Sequence, residues 1–391
     1  REVGAVVVED DPAFAGVLLD LARERGFKGL VATRGDAALT LAAQYRPTAI
    51  TLDLHLPDTS GWSVLDRLKH DGATRHIPVH IISSDEESLL GRKLGALDFL
   101  TKSPDRDALH RAFGKIDDFL ARRVKNLLVV EDDTDQRRSI VELIGNGDVK
   151  TTPVTTGQEA LAAMRATAFD CVVLDLKLPD MSGFDLIKEM QKDPALRALP
   201  IIVYTAADLT RSQETQLRRV AKSIIVKDVR SPERLLDEVT LFLHRVEANL
   251  PEPQRQLIES VRKNDPQLAG KRVLVVDDDI RNIFALTAVL ERHGMQVYTA
   301  ENGRDAIGLL DSTPGIDIVL MDVMMPELDG YETTRLIRQS GKYKNLPIIS
   351  LTAKAMPGDR EKSIESGSSD YISKPVNTDK LLSLLRVWLY R

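Results

Sequence analysis

The chain has 391 residues, a formal net charge of −6, and 43% hydrophobic and 29% charged residues. That length exceeds one ordinary hydrophobic core and implies roughly two to four domains, while the composition excludes a disordered or fibrous chain. The acidic balance argues against general nucleic-acid affinity, and no apolar run reaches the roughly 20 residues that a membrane helix needs.

The opening Arg1-Glu2-Val3-Gly4 shows neither an initiator Met nor a signal-peptide pattern and runs into an apolar strand, so it reads as a piece of a longer chain. That strand, Val6-Val7-Val8, ends in Glu9-Asp10-Asp11, and a helical pattern follows from Ala13 to Glu24. A second strand ends in Asp53-Leu54-His55-Leu56-Pro57 with Gly61 beyond, a third in the hydroxyl of Ser83, and a fourth in Lys102. The helix near Asp107 to Val124 then leads almost directly into a strand at Leu127, where the order begins again. It runs through Glu131-Asp132-Asp133, Asp175-Leu176-Lys177-Leu178-Pro179 with Gly183, Thr205 and Lys227. A third pass carries Asp277-Asp278-Asp279, Asp322-Val323-Met324-Met325-Pro326 with Gly330, Thr352 and Lys374.

The spacing makes this a repeat. Asp10 to Asp53 is 43 positions, Asp132 to Asp175 is 43, and Asp278 to Asp322 is 44. Each hydroxyl lies 30 positions beyond its aspartate, and the lysines follow the hydroxyls by 19, 22 and 22. Asp53 to Asp175 is 122 positions but Asp175 to Asp322 is 147, and the excess of 25 locates a connector holding Pro251, Pro253 and Pro266 around a helical stretch, Gln254 to Lys263. The predicted units are 1–124, 125–248 and 271–391, with a partly helical linker at 249–270. The short junction predicts a restricted mutual orientation for units 1 and 2 and freer movement for unit 3. Strand and helix alternate, which implies an α/β fold with a five-stranded parallel sheet covered on both faces in each unit. Every special residue follows the apolar run of its strand and so gathers at the carboxyl edge, where open α/β sheets bind ligands. Cys171, in an apolar strand, reads as a buried core thiol, and Arg122-Arg123-Val124-Lys125 as solvated helix ends.

Three carboxylates at adjoining strand ends repel one another unless a cation sits among them. An all-oxygen site suits a hard divalent ion, magnesium above all. Aspartate can act as a nucleophile toward phosphorus, and phosphoryl transfer needs positioning and neutralisation of the equatorial oxygens. The metal can meet one oxygen, the lysine ammonium a second, and the hydroxyl with backbone amides a third. Ser84, Ala206 and Ala353, after the hydroxyls, leave room for a donor. Each element alone is more often a helix cap or a turn; four in fixed order, three times over, are not.

All three units resemble receiver domains of two-component signalling. The resemblance covers the chain apart from the connector. It implies a flavodoxin-like (βα)5 fold, magnesium dependence and transfer from a phosphohistidine. It makes Asp53, Asp175 and Asp322 the phosphoacceptors and Glu9-Asp10, Glu131-Asp132 and Asp277-Asp278 the metal-side acids. The carbonyls of His55, Lys177 and Met324 become further ligands, and Phe99 and Tyr371, three positions before the lysine, the switch aromatics; each is also readable as a plain core aromatic. Unit 3, ending in Lys374-Pro375, fits the pattern best. Unit 1 has Ser103 after Lys102 and is three positions short between Ser83 and Lys102. Unit 2 departs furthest: Ile224 replaces the aromatic, Asp228 follows Lys227, and Lys177 either reaches over the acidic pocket or points to solvent.

The function this implies is the carboxyl-terminal receiver array of a cytoplasmic phosphorelay. A histidine kinase core upstream in the same chain supplies the phosphoryl group, a histidine phosphotransfer protein receives it from Asp322, and units 1 and 2 tune the signal. No histidine here lies in an ATP-binding context, so these residues carry no visible kinase. The alternative is a scaffold in which a unit, unit 2 first, binds partners without phosphorylation. A phosphatase is discounted, because the general acid such enzymes carry two positions after the nucleophile is here His55, Lys177 or Met324. Family members often pair through helical faces, which leaves a homodimer open. The apolar stripe Leu235, Leu236, Val239, Leu243, Val246 fits either such pairing or, more simply, packing on its own sheet.

Overall fold

The computed structural model describes residues 4–84, 91, 94–102, 106–122, 124–145, 147–228, 231–263, 265, 267–353 and 359–390. Arg1 to Val3, Ser103, Arg123, Pro266 and, in the shortened stretch after Ser83, residues 85–90 and 92–93 lie outside these residues. The chain divides into two compact units, Arg1–Val261 and Arg262–Arg391.

The first unit holds two five-stranded sheets. One comprises β1 (Gly4–Val8), β2 (Lys28–Ala32), β3 (Ala49–Leu52), β4 (Val79–Ser83) and β5 (Asp98–Thr101); the other comprises β6 (Lys125–Val130), β7 (Val149–Val154), β8 (Cys171–Leu174), β9 (Ile201–Thr205) and β10 (Ser223–Val226). The second unit holds one sheet, with β11 (Arg272–Val276), β12 (Gln296–Ala300), β13 (Ile318–Asp322), β14 (Ile348–Thr352) and β15 (Asp370–Ser373). Every sheet is parallel and has the second strand at one edge beside the first, then the third, fourth and fifth, the flavodoxin-like order. Crossover helices must cover both faces of such a sheet, so its central strands are apolar throughout. In the third sheet Val273 and Val275 meet Ile283, Leu286, Leu381 and Leu385 on one side, while Leu274 and Val276 meet Ala306, Leu310 and Ile337 on the other. Cys171 is buried, as expected, and burial pushes its thiol far above the ordinary range.

The connector is helical over Glu252–Lys263. Its beginning is not a free tether: Leu250 and Ile258 are buried against Leu236, and Gln254 donates to the Leu143 carbonyl at 2.7 Å. Four residues of the apolar stripe that begins on helix Ser231–Phe242 are therefore used internally, while Val246 is 37% exposed. Leu235, Val239 and Leu243 pack on their own sheet and Leu236 lies under the connector.

Within the first unit the two receiver-like modules touch through charged groups. The Arg75 guanidinium, on the turn before β4, is buried and donates to Asp237 and, at 3.1 Å, to Glu247 of the second module. Burial alone would push this guanidinium down, but the two carboxylates more than offset it. The Lys69 ammonium donates to the carbonyls of Arg75 (3.0 Å) and Ile77 (2.6 Å) and approaches His244 Nδ1 at 3.4 Å. One sequence expectation is corrected here. Lys125 is not a solvated helix end: it opens β6, is buried, donates to the Phe119 carbonyl at 2.9 Å and lies 3.3 Å from that ring's centroid. Its ammonium finds a carbonyl and a π face where water is excluded, and burial draws its pKa down to about 8. Arg122 is solvated as expected and reaches Asp170 at 2.9 Å.

Candidate functional site

Each strand that carries a special residue ends at the same edge, and the side chains converge there three times. The groups Glu9, Asp10, Asp53, then Glu131, Asp132, Asp175, then Asp277, Asp278, Asp322 each place one carboxylate oxygen per residue within 4.8 Å of the others. In every group the first acid and the acceptor candidate are buried while the middle acid is exposed, so the cluster opens to solvent on one side. The third acid of each run leaves the cluster and caps the next helix: Asp11, Asp133 and Asp279 accept from backbone amides of the first turn.

A lysine closes each cluster from the end of the fifth strand. Lys102 Nζ lies 2.8 Å from Glu9 and 3.0 Å from Asp53; Lys227 is 2.8 Å from both Glu131 and Asp175; Lys374 is 2.7 Å from Asp277 and 2.9 Å from Asp322. Burial would push each ammonium down, but the two carboxylate partners hold all three above their ordinary value. Burial pushes Glu9, Glu131 and Asp322 up, against the pull of their lysines. Among the described residues, Glu9 Oε2 and Glu131 Oε1 are buried and accept no hydrogen bond. An all-oxygen donor set with carboxylate oxygens orphaned in this way fits a hard divalent cation such as magnesium.

The hydroxyls separate the three sites. Ser83 Oγ and Thr352 Oγ1 are buried beside their clusters and, among the described residues, have no hydrogen-bond partner. Thr205 Oγ1 instead donates to Asp175 Oδ1 at 2.6 Å. Asp175 also accepts from the Lys177 backbone amide at 3.2 Å, so both its oxygens are engaged without any ligand. Lys177 is exposed. His55 and Met324 hold the same loop position in the other modules, and Met324 is 68% exposed. Phe99 and Tyr371 are half-buried on the fifth strands, with Ile224 in the matching place of the second module. The Lys374-Pro375 peptide is cis.

The acceptor loop is shaped by a glycine. At Gly330 a Cβ would stand 2.0 Å from the Asp322 carbonyl oxygen and 2.9 Å from Val323 Cα, backbone atoms that cannot yield locally. Gly61 and Gly183 face the same strand ends in the other modules. Gly330→Ala is expected to cost about 1–3 kcal/mol through overpacking and to displace Asp322. Denaturant unfolding of the variant checks this; an unchanged midpoint would contradict it.

Three features of the site escaped the sequence reading. Asn282 donates its side-chain amide to Asp277 at 3.0 and 3.2 Å. Arg137 donates to the carbonyls of Glu131 (2.8 Å) and Asp132 (3.0 Å). Ile280 and Phe284, one turn apart on helix Ile280–Arg292, are 53% and 68% exposed on the helix that follows the third acid run. The available signal was positional, since none of these residues has a counterpart of its type in the other two modules.

A parallel sheet in this strand order, with an acid cluster, a hydroxyl and a lysine at its carboxyl edge, is the arrangement that the resemblance to receiver domains implies. A family model of the response regulator receiver domain matches residues 5–113, 127–240 and 273–386, and the chain belongs to that family. It is 38% identical over 118 residues to protein PilH of Pseudomonas aeruginosa, which covers 30% of this chain and 97% of PilH. It is 34% identical over 152 residues to the sensor histidine kinase GacS of Pseudomonas protegens, covering 38% of this chain and 16% of GacS. Among solved structures, the chemotaxis protein CheY4 of Vibrio cholerae is 32% identical, covers 30% of this chain and 97% of its own, and superposes with a TM-score of 0.29. The chain thus spans nearly all of PilH and a small part of the kinase. The modules are hereafter receivers 1, 2 and 3, and they are similar to the receiver segments of hybrid sensor kinases.

Proposed function

We propose that this chain is the phosphoacceptor array of a cytoplasmic phosphorelay, in which Asp322 takes a phosphoryl group from a phosphohistidine of a kinase core and passes it to a histidine phosphotransfer protein. The observation that carries this is confined to receiver 3. An acceptor flanked by a hydroxyl at Thr352 that is buried and, among the described residues, unpartnered is combined with three exposed apolar side chains, Ile280, Phe284 and Met324, that follow the acid run and the acceptor in sequence. The matching positions are Pro12, Gly16 and His55 in receiver 1 and Thr134, Arg138 and Lys177 in receiver 2. An exposed apolar patch beside a reactive group favours a protein partner whose donor must be brought into contact.

In the chemical step a carboxylate oxygen of Asp322 attacks phosphorus, the P–N bond breaks, and its electron pair stays on the imidazole nitrogen, which then takes a proton. Lys374, already within reach of Asp322, meets an equatorial phosphoryl oxygen, and Thr352 donates its unused hydrogen to another. Asp277, Asp278 and Asp322 would hold a magnesium ion, which would supply the remaining neutralisation. Transfer onward is the reverse reaction with a second histidine.

Receivers 1 and 2 are assigned regulatory roles. A second reading, in which receiver 2 serves as a binding module without being phosphorylated, is favoured by the Thr205 to Asp175 hydrogen bond, because the hydroxyl that would meet a phosphoryl oxygen is already engaged. Incubation of the Asp53→Asn, Asp175→Asn and Asp322→Asn variants with a phosphorylated histidine kinase core tests both readings. Transfer lost in Asp322→Asn alone supports the first together with the binding role of receiver 2. Transfer lost in Asp175→Asn alone would sink both.

A further inference from the structure

We propose that Asn282 is a positioning residue for the metal-side acid of receiver 3, holding the Asp277 carboxylate in the orientation that receives a divalent cation. The inference rests on reading this acid set as a magnesium site. Asn282 lies in the first turn of helix Ile280–Arg292, and its Nδ2 reaches both Oδ1 (3.0 Å) and Oδ2 (3.2 Å) of Asp277. Oδ1 also accepts from the Asp279 amide at 2.9 Å and Oδ2 from Lys374 at 2.7 Å. Both oxygens of this buried carboxylate therefore have two donors each, and its plane is fixed by groups on three sides.

The other receivers lack this arrangement. Glu9 Oε1 accepts from the Asp11 amide at 3.2 Å and from Lys102, while among the described residues its second oxygen has no donor, and in Glu131 the oxygen not held by Lys227 is likewise unpartnered. Phe14 and Gln136 stand where Asn282 does, four positions after the middle acid. The Phe14 ring lies 5.2 Å from Lys102 Nζ, and Gln136 is exposed. Capping does not account for Asn282, because the cap of its helix is Asp279, which accepts from the Arg281 amide at 2.9 Å.

The physical advantage is orientation without charge. A glutamate in this place has one more rotatable bond to order when a cation arrives, and ordering side-chain torsions costs free energy. A second lysine would fix the carboxylate but repel the cation. An amide fixes it and remains neutral. Groups that orient a metal ligand in this way typically change affinity by about 10–100-fold when removed.

The test is calorimetric titration of magnesium chloride into the full chain carrying Asp53→Asn and Asp175→Asn, so that receiver 3 keeps the complete acid set. Adding Asn282→Leu is expected to raise the magnesium Kd about tenfold while the metal-free unfolding midpoint stays in place. In a chain carrying Asp53→Asn and Asp322→Asn instead, Glu131→Asp with Gln136→Asn is expected to tighten magnesium binding at receiver 2. An unchanged Kd in Asn282→Leu, or a weaker one accompanied by loss of metal-free folding, would overturn the proposal. No magnesium binding by the parent chain would remove the metal reading itself, a separate failure.

Discussion

Asp322→Asn is expected to reduce phosphoryl transfer into receiver 3 to background. The substitution keeps the shape of the side chain and removes the charged nucleophile, so the covalent acyl phosphate cannot form. Asp322 lies at the end of β13, flanked by Lys374 at 2.9 Å, and neither the strand nor the lysine depends on the acid to stay in place: Lys374 keeps Asp277 at 2.7 Å. Folding should therefore survive while chemistry is lost. Transfer is read as radiolabel or mass moving from a phosphorylated histidine donor to the full chain. Residual transfer at the level of the parent chain would show that another aspartate is the main acceptor.

Arg75→Leu is expected to destabilise the first compact unit by about 3 kcal/mol, in the range measured when one partner of a buried ion pair is removed. Its guanidinium is 3% exposed and engages Asp237 and Glu247, whose side chains are 19% and 15% exposed, so the substitution removes a buried cation from beside two largely buried carboxylates. Arg197 provides the internal control. It stands three positions before Pro200 as Arg75 stands three before Pro78, its amide makes the same turn contact, and it is exposed. Arg197→Leu should fall within about 0.5 kcal/mol of the parent. Equal effects of the two substitutions in urea unfolding would contradict the junction described for receivers 1 and 2.

That same pair of arginines explains what the sequence could and could not disclose. The fold and the chemical edge were legible because a parallel strand buried on both faces must be apolar until it ends, and the residue after the apolar run is then placed by the sheet itself. Asp53, Asp175 and Asp322 needed no tertiary information beyond that. Arg75 and Arg197 occupy the same local turn, yet one is buried against another module and the other is solvated. The difference lies in what covers them, which no local pattern encodes. Lys125 was misjudged for the same reason: a basic run after a helix looks solvated until the Phe119 carbonyl and ring are seen to enclose it. Asn282 carries no signal in the sequence that separates it from any polar residue of a first helical turn, and only its two contacts with Asp277 do so.

The difference among the three hydroxyls has the same character. Ser83, Thr205 and Thr352 are indistinguishable by spacing, but only Thr205 is hydrogen-bonded to its acceptor. A donor engaged in this way strengthens the ground state of the carboxylate rather than the transition state of its attack, and only the latter helps transfer. This is the physical ground for ranking receiver 3 above receiver 2 as the working acceptor.

The most direct test of the central claim is peptide-resolved mass spectrometry of the full chain after incubation with magnesium and a small-molecule phosphodonor, with and without chelation. The account predicts a phosphoryl addition on the peptide containing Asp322 that disappears in Asp322→Asn and when the metal is removed. An addition that persists in Asp322→Asn and is lost in Asp175→Asn would contradict it.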